Sequence, residues 1–344
     1  MSEIEPLTGG LSMSSVYKIV VDGHSYVLKL DAPVATHPNI PSPDTSSPDA
    51  SSPDATVPNA TVPTETASIA TTPTAMASTA TPVLPSLSCL EIAAKAGVAP
   101  PVFYLDIPEG LLITGFVIQQ PLREAFASQE GLLNELGRTI RSIHELPPFP
   151  KEQNLLHIVE ELVEGARHLP PETDIFEDSF DYYDRIRTHY PWQDPDRVSG
   201  HNDLNPNNII WDGQKTWVVD WDAAFRNDRY VDLATAAIFF VHTDTQEDLF
   251  LTAYFGNPPD AYRQSRFFIM RQVCRLVYAI LMCKLAHHSK NAGDTPDPGK
   301  SSVFSPEGQL LFAKALINAA LNDMRSTRFP ESIERLAGIS ESPY

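Results

Sequence analysis

His201, Asp203, Asn208, Asp220 and Asp222 fall in one stretch that reads HNDLNPNNIIWDGQKTWVVDWDAAFRNDRYVD from His201 to Asp232. Asp203 and Asn208 stand five apart in a polar loop, and Asp220 follows twelve residues after Asn208, behind the apolar run Trp217-Val218-Val219. A carboxylate that accepts a hydroxyl proton, with an amide oxygen and a second carboxylate to hold magnesium, is what phosphoryl transfer from a nucleotide asks of a protein. Mg²⁺ is a hard ion that prefers oxygen ligands. Asp203 is therefore the candidate base, and Asn208 and Asp220 are the candidate metal ligands.

These side chains must be brought together by the elements around them. Ile209-Ile210-Trp211 and residues 216–219 read as two short strands, and Asp212-Gly213 between them is a strong hairpin signal. Such a hairpin returns Asp220 to the side of Asn208, so that one ion can touch both.

The motifs resemble those of the aminoglycoside phosphotransferase and choline kinase superfamily, small-molecule relatives of the protein kinases. His201, Asp203 and Asn208 match the family's His-x-Asp-x-x-x-x-Asn loop. Asp220-Trp221-Asp222 matches its Asp-aromatic-acidic motif, and Asp232-Leu233-Ala234 its Asp-Leu-Ala. Asn202 is closer to the choline kinase branch. At the N-terminus, residues 7–12 followed by Val16-Tyr17-Lys18-Ile19 are similar to the phosphate-covering turn, with Gly10 and Ser12 near phosphate. Tyr26-Val27-Leu28-Lys29-Leu30 resembles the third strand, with Lys29 as the phosphate lysine, and 111–117 the strand leading to the adenine site at Phe116 and Val117. Residues 136–144 resemble the helix that opens the large lobe. The resemblance implies ATP and Mg²⁺ as cofactors. It also implies a bilobal α+β protein-kinase-like fold with a small antiparallel-sheet N-lobe and a mostly helical C-lobe.

Composition limits the partners. The chain has 344 residues and a formal charge of −19, with 44 acidic against 25 basic residues. That argues against nucleic acid, whose phosphates need clustered Lys and Arg, and permits a cationic small molecule. Cys89, Cys274 and Cys283 form no metal-type cluster, and no secretory signal precedes them, so a cytoplasmic protein with reduced thiols is expected. The apolar run 267–286 is broken by Arg271, Arg275 and Lys284, and reads as a buried or amphipathic helix instead of a membrane span.

Residues 1–117 are expected to form the nucleotide-binding N-lobe, 118–327 the catalytic and substrate-binding C-lobe, and 328–344 a loosely attached tail. The last helix is placed at 307–324, with Leu310, Leu311, Ala315 and Leu321 on or near one face. Within the N-lobe, 36–85 is a Pro/Ser/Thr/Ala-rich insert. Its prolines at 43, 48, 53, 58, 63 and 73 follow a five-residue period that forbids continuous helix, and its apolar content is too low for a core. It reads as a disordered segment grown by repeat expansion. In the family, the helix after the third strand carries a glutamate that pairs with the lysine. Here that position falls near Ser86, and the nearest glutamate, Glu91, is about five positions on, a rotation of roughly 140° around a helix.

Each residue also has a plainer reading. His201 is expected to brace the loop by hydrogen-bonding backbone near Asp220. Asp222 can sit in the outer coordination sphere of a metal, meet a cationic substrate or end the turn. Asp232 reads as the N-cap of the helix that begins at Leu233, supporting the loop. Trp211, Trp221, Tyr278 and Phe267 can be core or can cage a quaternary ammonium. The function read from these residues is ATP-dependent transfer of a γ-phosphate to a hydroxyl of a small molecule, an amino alcohol of choline or ethanolamine type or an aminoglycoside. The alternative is a pseudokinase or nucleotide-binding module without efficient transfer. A phosphatase using Asp220 and Asp222 is disfavoured because the pair lies two-thirds along the chain. A protein kinase is disfavoured because no Asp-Phe-Gly or Ala-Pro-Glu signature follows.

Overall fold

The computed structural model describes residues 3–7, 14–31, 87–169, 175–193, 197–292 and 305–338. All of them belong to one of the chain's two units, Met1–Pro33 with Ser86–Tyr344. The insert at 36–85, Ser86, Gly10 and Ser12 lie outside the described residues.

The first lobe is one antiparallel sheet, β1 (Glu3–Pro6), β2 (Ser15–Val21), β3 (His24–Leu30), β4 (Val102–Asp106) and β5 (Leu111–Gly115), in the order β1-β2-β3-β5-β4. Asp22 and Gly23 join β2 to β3 with φ of 50° and 78°. Two positive φ values in a two-residue loop give the turn whose twist matches the strands, which is why Asp-Gly serves there. Lys29 lies near the end of the central strand β3, paired with Val16 on one side and Leu112 on the other, and is 8% exposed.

Helix α1 (Cys89–Lys95) starts in a capping box: Ser88 accepts from the Glu91 amide, and the Glu91 carboxylate accepts from the Ser88 amide at 2.8 Å. The helix ends at Gly97, whose φ of +74° lets the Val98 and Gly97 amides donate back to the Ala93 and Ala94 carbonyls, each at 3.0 Å.

The second lobe contains α2 (Gln129–His144), α3 (Leu155–Ala166), α4 (Glu177–His189), α5 (Arg229–Phe240), α6 (Asp244–Phe255), α7 (Ala261–Ala292), α8 (Pro306–Met324) and α9 (Arg328–Ala337). Two small antiparallel pairs accompany them: β6 (Arg197–Gly200) with β9 (Phe225–Asp228), and β7 (Ile209–Trp211) with β8 (Thr216–Val218). Helix α7 is central and packs against α5, α8 and α9. Two of the three charges that break its apolar run are met inside the lobe, Arg275 by Asp323 at 2.6 Å and Arg271 by the Val241 carbonyl at 2.6 Å. Among the described residues no helix is long and apolar enough to cross a membrane. The three cysteines are free and buried.

The β7–β8 hairpin closes through four residues, Asp212 to Lys215. The Asp212 side chain accepts from the amides of Gln214 (2.7 Å) and Lys215 (2.8 Å), an aspartate-built turn in place of a bare two-residue one. Both outer edges of the hairpin are occupied. The Gln120 amide donates to the Trp211 carbonyl at 2.7 Å, and the Val218 amide donates to the Val98 carbonyl at 3.0 Å. The segments that supply these groups are themselves joined, because the Gly115 amide donates to the Pro101 carbonyl at 2.9 Å.

Two expectations about the C-terminal region are corrected. Arg328 onward is not loosely attached at its start: α9 buries Phe329, Ile333 and Leu336, spaced to share one face. In α8 the buried face is Gln309, Ala313, Leu316, Ile317, Ala320, Leu321 and Met324, whereas Leu311 is 71% exposed and Ala315 faces solvent.

Helices α2 and α6 cross at Gly137. A Cβ there would lie 2.8 Å from the Ala253 Cβ and 3.0 Å from both the Phe250 oxygen and the Tyr254 nitrogen. Two of those atoms are backbone and cannot move aside. We expect Gly137→Ala to lose roughly 1–3 kcal/mol through overpacking, more than the ~1 kcal/mol that alanine gains in a helix. Urea unfolding of the two proteins checks this; equal or higher stability of the variant would refute the close crossing.

Candidate active site

The loop after β6 is held from beneath by Asp232. This residue is not the N-cap of α5, as its place in the sequence suggested. Asp228 caps that helix, accepting from the Tyr230 amide at 2.9 Å, and Asp232 lies one turn further in, 1% exposed. Its carboxylate accepts from the amides of His201 (2.8 Å) and Asn202 (2.6 Å) and from Nε2 of His144 (3.0 Å). Burial alone would raise the Asp232 pKa; the His144 hydrogen bond and the neighbouring charges outweigh it and hold the carboxylate below its usual value.

His201 is fully buried. Its Nε2 donates to the Val219 carbonyl at 2.9 Å and its Nδ1 accepts from the Asp203 amide at 3.3 Å, so the two contacts fix the tautomer with the proton on Nε2. The Trp221 ring packs edge-on at 4.8 Å. The ring thus ties the Asp203 loop to the residue just before Asp220. Asn202, at φ 67°, donates from its side chain to the Ala223 carbonyl at 2.9 Å and accepts from Asn227 at 2.8 Å.

Asp203 is partly buried and accepts from three side chains. Its Oδ2 accepts from Asn205 Nδ2 (3.1 Å) and Asn208 Nδ2 (3.0 Å), and its Oδ1 accepts from the Tyr278 hydroxyl. Burial raises its pKa, and the Tyr278 hydrogen bond acts against that rise. Asn208 also donates to the Asp203 carbonyl at 2.8 Å, and its own carbonyl accepts from the Val219 amide at 3.0 Å. The hairpin therefore returns the chain beside Asn208.

Asp220 adopts φ 62°, ψ 68°, a left-handed conformation unusual outside glycine, in which the strand β8 breaks off and turns into Trp221. Lys29 bridges the two lobes here, donating to Asp220 Oδ1 at 3.0 Å and Asp222 Oδ2 at 2.5 Å, with Asp31 at 3.9 Å. Burial by itself would lower the Lys29 pKa; the hydrogen bond and charge of Asp222, together with those of Asp220, outweigh it and raise the pKa. Glu91 is committed to its capping box instead of Lys29.

The donor set fits magnesium. Asn208 spends its amide hydrogens on Asp203, which leaves its side-chain oxygen for a cation, and Asp220 engages Lys29 through Oδ1 alone. Among the described residues no three His, Cys, Asp or Glu side chains converge as a metal cluster, so the fit rests on this amide and the neighbouring aspartates.

The remaining candidates separate. Phe116 donates its amide to Ser25 at 3.3 Å and lies beneath Lys18 Nζ at 4.8 Å, and Val117 follows partly buried at the end of β5. Trp221 and Phe267 are core, and Trp211 packs on Phe126 at 5.0 Å. Tyr278 reaches Asp203 across 75 positions of sequence, and His144 reaches Asp232 across 88. No local pattern announces either pairing.

The profile of the phosphotransferase enzyme family matches residues 3–268. The chain belongs to that family. As a member it is a kinase-like phosphotransferase, as its motifs implied. No curated protein matches the sequence. Solved structures show the same fold. A choline/ethanolamine kinase family protein from Mesorhizobium loti is 16% identical, with a TM-score of 0.61 over 98% of this chain and 92% of its own. The choline kinase LicA from Streptococcus pneumoniae, also solved in complex with AMP, is 15% identical, with a TM-score of 0.54 over 98% and 94%. An aminoglycoside phosphotransferase is 12% identical, with a TM-score of 0.53 over 95% of each chain.

Proposed function

We propose that this phosphotransferase moves the γ-phosphate of ATP to a hydroxyl of a small molecule, an amino alcohol of the choline or ethanolamine type or an aminoglycoside. The observation that carries the reading is the convergence of Asp203, Asn208, Asp220 and Lys29, from three separate segments, at one place. Asp203 orients the acceptor hydroxyl and takes its proton as the new O–P bond forms. The bond from the γ-phosphorus to the bridging oxygen breaks and ADP leaves with the electron pair. Lys29 binds phosphate together with Gly10 and Ser12, and Phe116 and Val117 bind the adenine. Asn208 and Asp220 would hold Mg²⁺, with Asp222 beside them, and the bound ion would supply positive charge to offset that of the phosphates. A cationic acceptor suits the acidic residues Asp203 and Asp222 and the Tyr278 ring beside Asp203. A cytosolic setting suits an ATP-consuming enzyme with reduced cysteines.

The commitment of Glu91 to its helix cap favours a second reading, nucleotide binding without efficient transfer. The two are separated by ADP release from Mg²⁺-ATP across a panel of choline, ethanolamine, aminoglycosides and sugars. Acceptor-dependent release supports transfer and names the acceptor. ATP binding by calorimetry without release on any acceptor supports the second reading.

A further inference from the structure

We propose that Tyr278 is a positioning residue for the transfer: its hydroxyl fixes the Asp203 carboxylate so that the one unused lone pair, on Oδ1, faces the acceptor hydroxyl. The proposal rests on the phosphotransferase reading above.

The argument is a count of acceptor sites. A carboxylate offers two in-plane lone pairs on each oxygen. At Asp203 both positions of Oδ2 are taken, by the side-chain amides of Asn205 and Asn208. One position of Oδ1 is taken by the Tyr278 hydroxyl. Among the described residues one site is left for a substrate proton, and it sits on the oxygen that Tyr278 holds. Without that hydroxyl the carboxylate keeps both donors on Oδ2, but both lone pairs of Oδ1 are open and nothing directs the substrate proton to one of them.

The phenol is itself well placed to hold the carboxylate still. Tyr278 stands on α7, with its ring edge-on to Phe239 of α5 at 6.0 Å, and Phe239 stacks on Phe312 of α8 at 6.1 Å. Three helices thus fix one hydroxyl. Burial and the nearby Asp203 charge push the phenol well above its ordinary pKa, so it stays a neutral donor. A tyrosine present only for packing has no need to end on the base; a phenylalanine fills the same volume.

Tyr278→Phe keeps the ring and removes the hydroxyl. Hydrogen bonds to charged groups are strong enough that we expect kcat to fall roughly tenfold to a hundredfold on choline, or on whichever panel acceptor the wild type turns over. KM for ATP should stay within about twofold. A packing role alone would leave kcat unchanged and move only the unfolding temperature, so kcat within about twofold of wild type would overturn the proposal. A second measurement needs no substrate: a cycle of Tyr278→Phe, Asp203→Ala and the double variant, read by urea unfolding of the ligand-free protein. Non-additive effects support the contact, and additive effects overturn it. Wild-type protein inactive on every acceptor would sink the transfer reading, while the cycle would still decide the contact.

Discussion

We expect Asp203→Asn to fold, to bind ATP as the wild type is proposed to, and to transfer phosphate about a hundredfold to ten-thousandfold more slowly, the range for a lost general base. The fold survives because the site accepts an amide. An asparagine oxygen can face the two donors Asn205 and Asn208, and its NH₂ can face the Tyr278 hydroxyl, which rotates to accept. What is lost is the charge and the proton acceptor on the Tyr278 side. Single-turnover ADP formation beside ATP titration checks this. Unchanged turnover would remove Asp203 from the chemistry, whatever its geometry.

Asp232→Ala is the largest expected loss of stability. It strands the amides of His201 and Asn202 and Nε2 of His144, all of which reach one carboxylate that is 1% exposed. Removing one partner from a buried charged network costs about 3–5 kcal/mol. Chemical unfolding should show this together with slower transfer, because the two freed amides belong to the loop that carries Asp203. The milder Asp232→Asn keeps one acceptor oxygen and gives the pH dependence. The folded pKa of Asp232 lies below its unfolded value, so its contribution is complete above the ordinary carboxylate value and is lost as pH falls through the folded one. The stability gap between wild type and Asp232→Asn should therefore be full at pH 7 and shrink below about pH 4. A gap that is flat from neutral pH down to acid unfolding would contradict this sign.

The features legible in the sequence are those whose partners are close in the chain. The hairpin that brings Asp220 back to Asn208 follows from two apolar runs and an Asp-Gly turn, and the apolar run of α7 follows from composition alone. Of the residues that act across long separations, Lys29 is legible only through the family resemblance, and others are not legible at all. Tyr278 could be picked out as an aromatic beside the site, but not as a donor to Asp203, because nothing in the primary sequence ties helix α7 to the loop. A polar residue before an apolar run has the pattern of a cap, which Asp232 shares; the earlier Asp228 does the capping and frees Asp232 for the loop. Pro330 does not stop helix α9. It falls in the first turn, where its missing N–H has no intrahelical acceptor to lose, and the face formed by Phe329, Ile333 and Leu336 then decides the structure.

Gln120 and Val98 occupy the two outer edges of the β7–β8 hairpin, and the Gly115–Pro101 bond joins the segments they come from. Gln120 lies just past the point where the chain leaves the sheet for the helical lobe, and Val98 lies between α1 and β4. The hairpin beside Asn208 and Asp220 is therefore stitched on both flanks to the segments that bound the sheet. The half of the site read as metal-binding belongs to the hairpin, and the half that carries Lys29 belongs to the sheet it is stitched to.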